Sequence, residues 1–121
     1  MTGAGWEQFR EVWSAQAEKP DGLLVCDDGL FVEALMAIDE LDIQIPDQMR
    51  VVTHATRGLG VRYPFPVTLL QTDPTRVAGI LESKLLDLMD GKPRGAPIAQ
   101  AMEIVEVRGC RAKASRQLAP A

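Results

Sequence analysis

The sequence is short of basic residues, cysteine, histidine and aromatics, and each shortage closes off a class of function. Lys and Arg number 13 against 17 Asp and Glu, for a formal net charge of −4. Binding to a nucleic-acid backbone draws on clustered cations, so the chain is not expected to hold DNA or RNA unaided. Cys26 and Cys110 stand far apart with no Cys-x-x-Cys pair, which argues against a disulfide framework. His54 is the only histidine, which argues against a His-based metal centre, and no cofactor or metal is expected. No apolar run approaches the ~20 residues that span a bilayer, so no membrane partner is expected. Residues 1–7 combine neither a basic region nor an apolar core, and a cytoplasmic chain without a secretory leader is the expectation. A length of 121 residues fits one domain.

What is present is organised around Pro20–Gly29 and the apolar-periodic run Leu30–Leu41. Pro20-Asp21-Gly22 is a turn, and Leu23–Cys26 is a continuous apolar run suited to a parallel strand covered on both faces. Asp27 and Asp28 follow at its carboxyl end, where open α/β sheets bind ligands. Asp28 is placed to cap the following helix. On that helix Leu30, Ala34, Ala37, Ile38 and Leu41 form a stripe that Phe31, Leu35 and Met36 widen. So wide a stripe implies more than one buried face, one of them against a neighbouring helix or a second subunit.

Upstream, Trp6, Phe9, Val12 and Trp13 recur at helical spacing and predict an amphipathic helix over residues 6–17 that packs on the sheet. Downstream, Arg50–His54 is a short β-branched strand, residues 55–66 an irregular loop, and Val67–Gln71 a third strand. Asp73 before Pro74 is a helix start, and Gly91 sits where a helix should end. Ile98–Val107 reads as a last strand, and residues 110–121 as a disordered tail carrying Arg111, Lys113 and Arg116. The order helix–strand–helix–strand–strand–helix–strand predicts an α/β domain with a mostly parallel sheet flanked by helices.

Two stretches, PDGLLVCDDGLFVEALMAIDELDIQIPDQMRVVTHAT and PVTLLQTDPTRVAGILESKLLDLMDGKP, resemble the C-terminal part of the effector-binding domain of LacI/GalR-family transcription regulators. That family's pattern is an apolar strand ending in Asn-Asp, a helix rich in Ala and Leu, and a Val-Pro-Glu-Asp-like turn. A Val-Val-Gly-Phe-Asp-Asp strand end, a Pro-Leu-Thr-Thr-Ile crossing segment, a long helix ending in Gly and a final strand follow. The matching pieces here are residues 26–28, 45–48, 51–56, 66–70, 75–91 and 98–108, in that order.

The resemblance implies a partial periplasmic-binding-protein-like (type I) fold, with residues 1–109 as the C-terminal portion of an effector-binding domain. It implies a small, sugar-like effector in an inter-lobe cleft, a homodimer, and DNA contact only through a headpiece absent from this chain. The helix over residues 75–90 belongs to the other lobe in that family. Here its apolar face needs a different partner, and a swapped or interlocked dimer is the natural one. Asp27 stands at the family's strand-end asparagine and Asp28 at the aspartate after it. His54, Ala55 and Thr56 stand at Phe-Asp-Asp, so Ala55 replaces a carboxylate that commonly grips a sugar.

The expected ligand-binding residues are therefore Asp27, Asp28, His54 and Thr56, and the expected dimer interface is Phe31, Leu35, Met36 and Tyr63. No enzymatic activity is expected. Two alternatives remain: a small α/β enzyme using Cys26, Asp27 and His54, or a fragment that keeps only its association surface. Cys26 flanked by Val25 in an apolar strand is read as inert core. Gly58-Leu59-Gly60 does not follow a strand and open a helix at once, as a phosphate-binding loop must.

Overall fold

The structure is a computed structural model that describes residues 5–110. Its elements keep the predicted order: α1 (Gly5–Ala15), β1 (Gly22–Val25), α2 (Asp28–Glu40), β2 (Arg50–Thr56), β3 (Val67–Thr72), α3 (Pro74–Met89) and β4 (Glu103–Val107). The strands form one sheet in the order β1-β2-β3-β4. β1 and β3 both run parallel to β2, and β4 pairs antiparallel with β3. The fold is α/β, with a mostly parallel sheet flanked by helices.

Strand alternation decides what each residue faces. In β2, buried Val51, Thr53 and Ala55 alternate with half-buried Val52, His54 and Thr56. Register carries the buried side across the sheet through Leu23↔Val51, Val25↔Thr53, Thr53↔Leu69 and Leu69↔Val105. Phe31, Ala34 and Ile38 of α2, with Trp13 of α1, close the core over these residues. Phe31 is 1% exposed, with the Tyr63 and Phe65 rings at centroid distances of 5.1 and 6.2 Å. The chain's last described turn locks that aromatic loop. Gly109 has φ +82° and a methyl on it would overlap the Phe65 backbone, while the Cys110 N–H donates to the Tyr63 carbonyl at 2.8 Å.

The other side of the sheet differs from expectation. Leu24 in β1 is 63% exposed and Ile104 in β4 69% exposed, so among the described residues the helices cover one face only. An apolar run such as Leu23–Val25 signals cover on both faces, and Leu24 is the residue left without it. Phe31 also departs from expectation: it fills the protomer's own core rather than facing a partner. Of the other residues expected at an interface, Leu35 and Tyr63 are half-buried and Met36 is exposed.

Strand and helix limits shift for identifiable reasons. β2 continues through Thr56 because Gln71 and Thr72 of β3 offer partners to Ala55 and Thr56. β4 begins at Glu103 rather than Ile98 because Gln71↔Glu103 is its last pairing with β3. Residues before Glu103 turn along α3 instead, where Ile98 and Met102 share a groove with Val77, Ile80 and Leu81. α3 starts and stops as expected: Asp73 Oδ1 accepts the Thr75 N–H at 3.0 Å, and Gly91 follows the C-cap with φ +75°. Leu81, Leu85, Leu86, Leu88 and Met89 of α3 are exposed, and no residue of that helix is buried. Among the described residues no helix is long and apolar enough to cross a membrane. The expected tail lies, from residue 111 onward, outside the described residues.

If Phe31 anchors the core, Phe31→Ala should cost about 3–5 kcal/mol in urea unfolding, a large part of a small domain's stability. Asp39→Ala, at an exposed position of the same helix, should change stability by no more than about 0.5 kcal/mol. Equal losses from the two substitutions would contradict this orientation of α2.

Candidate functional site

Parallel strands deliver their carboxyl ends to one edge of a sheet. Here β1 ends before Asp27 and Asp28, β2 ends at Thr56, and β3 ends at Thr72. The sequence placed a candidate site at this rim, and the hydrogen bonds there divide the named residues into pairs.

Asp27 has extended backbone, with φ −158°, and is the N-cap of α2; its Oδ1 accepts the Leu30 N–H at 2.8 Å. The cap was expected at Asp28. That residue is already helical, and its carboxylate turns sideways to accept the backbone N–H of Thr56 at 3.3 and 3.1 Å. Asp28 is thus a strap between the first turn of α2 and the last residue of β2. Tyr63 lies within electrostatic reach, and burial together with the Asp28 charge raises its pKa above the ordinary 10.0. The phenol is held neutral beside the carboxylate.

His54 pairs with a residue that sequence reasoning did not single out. Its Nε2 lies 2.8 Å from Thr72 Oγ1, which joins β2 to β3 on the uncovered face. A signal for Thr72 existed, since it directly follows the predicted strand Val67–Gln71 and so reaches the same carboxyl rim as Asp27. Its neighbours extend the rim: the Arg57 N–H donates to the Thr72 carbonyl at 2.9 Å, and Arg57 Nη1 stands 3.7 Å from Asp73 Oδ2.

Ala55 is 2% exposed and belongs to the core side of β2. The position that the resemblance marks as a sugar-gripping carboxylate therefore faces α2 here. Thr56 and His54, on the alternate positions, share the uncovered face. Cys26 is a correction: β1 ends at Val25 and the thiol is exposed, not core. Among the described residues no hydrogen bond joins Cys26 to Asp27 or His54, and no group of three or more His, Cys, Asp or Glu residues could hold a metal ion.

A concavity of about 610 Å³ opens at the opposite end of the strands beside Asp47, Arg50, Thr68 and Glu106. Thr68 Oγ1 donates there to both Glu106 oxygens at 3.0 and 2.9 Å, which closes those groups on each other. Polar groups converge instead at the carboxyl rim, which offers a carboxylate, an imidazole and two hydroxyls for polar recognition.

A family model described as periplasmic binding protein-like domain matches residues 1–109. No curated protein and no solved structure matches the chain.

Tyr63 is the only tyrosine, so an ultraviolet absorbance titration reads its ionisation alone. Its midpoint should lie above 10.0. Because the folded-state pKa is raised, the stability it contributes is full below the unfolded value and is lost as pH rises through the folded one. In Asp28→Asn the midpoint should fall part of the way and stay raised, since burial is the larger cause. Asp28→Ala should also cost about 1–3 kcal/mol through the unsatisfied Thr56 N–H. An unchanged midpoint and unchanged stability would show that Asp28 does not hold this corner.

Proposed function

Since this chain belongs to the periplasmic binding protein-like domain family, we propose that it is the ligand-sensing and dimerisation portion of a LacI/GalR-like transcription regulator. Family membership fits a ligand-binding regulatory domain. The finer reading draws on the ordered match of residues 26–28, 45–48, 51–56, 66–70, 75–91 and 98–108 to that family's pattern.

In this reading residues 1–109 are the C-terminal portion of an effector-binding domain, and DNA is contacted through a headpiece elsewhere in the full-length parent. A small, sugar-like metabolite binds at the carboxyl rim. Asp28, His54, Thr56 and Thr72 supply its polar contacts, with Asp27 at the margin. The observation that carries the reading is the meeting of two hydrogen-bonded pairs, Asp28–Thr56 and His54–Thr72, at one rim. Hydroxyl-rich ligands need such alternating donors and acceptors, because a buried hydroxyl left unpaired costs about 1–3 kcal/mol.

Dimerisation uses the outer side of α2, where Val32 and Met36 are exposed one turn apart, together with half-buried Leu35 and Tyr63. The exposed apolar side of α3 is covered by the sister chain, so the two protomers interlock.

A thermal-shift screen of sugars, nucleosides and related metabolites should find a compound that raises the melting temperature, with the shift abolished in Thr72→Ala. Absence of any response across the screen would count against the sensing role. Sedimentation velocity should give a dimer for the unaltered chain and a monomer for Met36→Glu. A monomer for the unaltered chain at high concentration would remove the dimerisation role.

A further inference from the structure

A pocket of about 80 Å³ opens at the carboxyl rim between the end of β3, the first turn of α3 and the approach to β4. Arg57, Arg76, Gln71 and Gln100 form much of its wall, with Asp73 and Glu103. We propose that this pocket seats the oxyanion of a carboxylate- or phosphate-bearing ligand, gripped by the guanidinium groups of Arg57 and Arg76. The inference rests on reading the rim as a ligand site and narrows the ligand to a small metabolite that carries an anionic group.

The donors around this pocket are unspent. A guanidinium presents five N–H donors in a planar fork that matches carboxylate and phosphate oxygens. Arg57 meets Asp73 at 3.7 Å, beyond hydrogen-bond length. The other Asp73 oxygen is committed to the Thr75 N–H as the cap of α3. Among the described residues neither guanidinium donates a hydrogen bond, and the side-chain amides of half-buried Gln71 and Gln100 make none either. Four side chains with free donors therefore converge on one concavity. The positive end of α3, a helix of 16 residues, adds a field of the same sign.

Size and charge refine the class. The volume fits a head group rather than a whole metabolite, so the remainder of the ligand lies outside the pocket, across the ends of the strands toward Thr72. Asp73 and Glu103 bring the wall close to neutral, which makes directional donation, not excess charge, the source of selectivity. Glu103 is left to accept from a hydroxyl or ammonium next to the anion.

Nitrogen-edited NMR titrations of the full chain with inorganic phosphate, succinate and ribose, at constant ionic strength, test this directly. Phosphate or succinate should shift the Gln71 and Gln100 side-chain amides saturably, and which of them does so separates phosphate from carboxylate recognition. In Arg76→Gln, an exposed position, the apparent affinity should fall at least tenfold with the rest of the spectrum preserved. Saturable anion shifts unaltered by Arg76→Gln would overturn the assignment. Ribose binding at His54 and Thr72 without anion saturation would overturn it while leaving the rim reading intact. No saturable rim shift from any of the three probes would remove both.

Discussion

Period-two burial along β2 is the constraint on which the rest of the structure depends. Once Val51, Thr53 and Ala55 are committed to the core beneath α2, His54 and Thr56 have no choice but the uncovered face. A slip of one residue would bury the imidazole and expose the alanine. Pairing with β1 and β3 transmits the same choice across the sheet, which places Thr72 beside His54 and Leu24 in solvent. The polar rim and the core are therefore two outcomes of one register.

The rim does structural work as well as offering contacts. Asp27 is occupied as a helix cap and Asp28 as a strap to β2, so the acidic pair diverges rather than acting on one atom. Adjacent carboxylates invite an acid–base interpretation. Here the first holds the start of α2 and the second ties that start to the strand beside it, with the neutral Tyr63 phenol close by. Binding at such a site would borrow a charge that the fold has already positioned.

How much of this was legible in the sequence depends on the range of the physical signal. Asp73-Pro74 and Gly91 marked the ends of α3 correctly because capping is settled within a few residues. The order of elements was legible for the same reason: each apolar period is local. The stripe of α2 was legible in Ala34, Ala37 and Ile38, all buried, but its first turn was not. There Leu30 and Phe31 are both apolar, and the Tyr63–Phe65 loop, some thirty residues on, decides that Phe31 turns inward and Leu30 outward. Cys26 looked buried because an apolar run does not reveal its last paired residue. Thr72 was passed over because a hydroxyl at a strand end carries little compositional weight. It matters through its pairing with His54 on another strand, a long-range fact. Even so, the carboxyl-rim rule led from sequence to the edge of the sheet where Asp28 meets Thr56 and His54 meets Thr72.

The central claim is that the uncovered carboxyl rim, with His54 at its middle, is where this domain meets a small molecule. The most direct measurement follows the ring resonances of His54, the chain's sole histidine, during titration with a compound that raises the melting temperature. The account predicts a saturable shift of both ring nitrogens as the ligand displaces or joins the Thr72 hydroxyl. Ring signals that stay unchanged through saturation, while residues at the opposite end of the strands move, would contradict it.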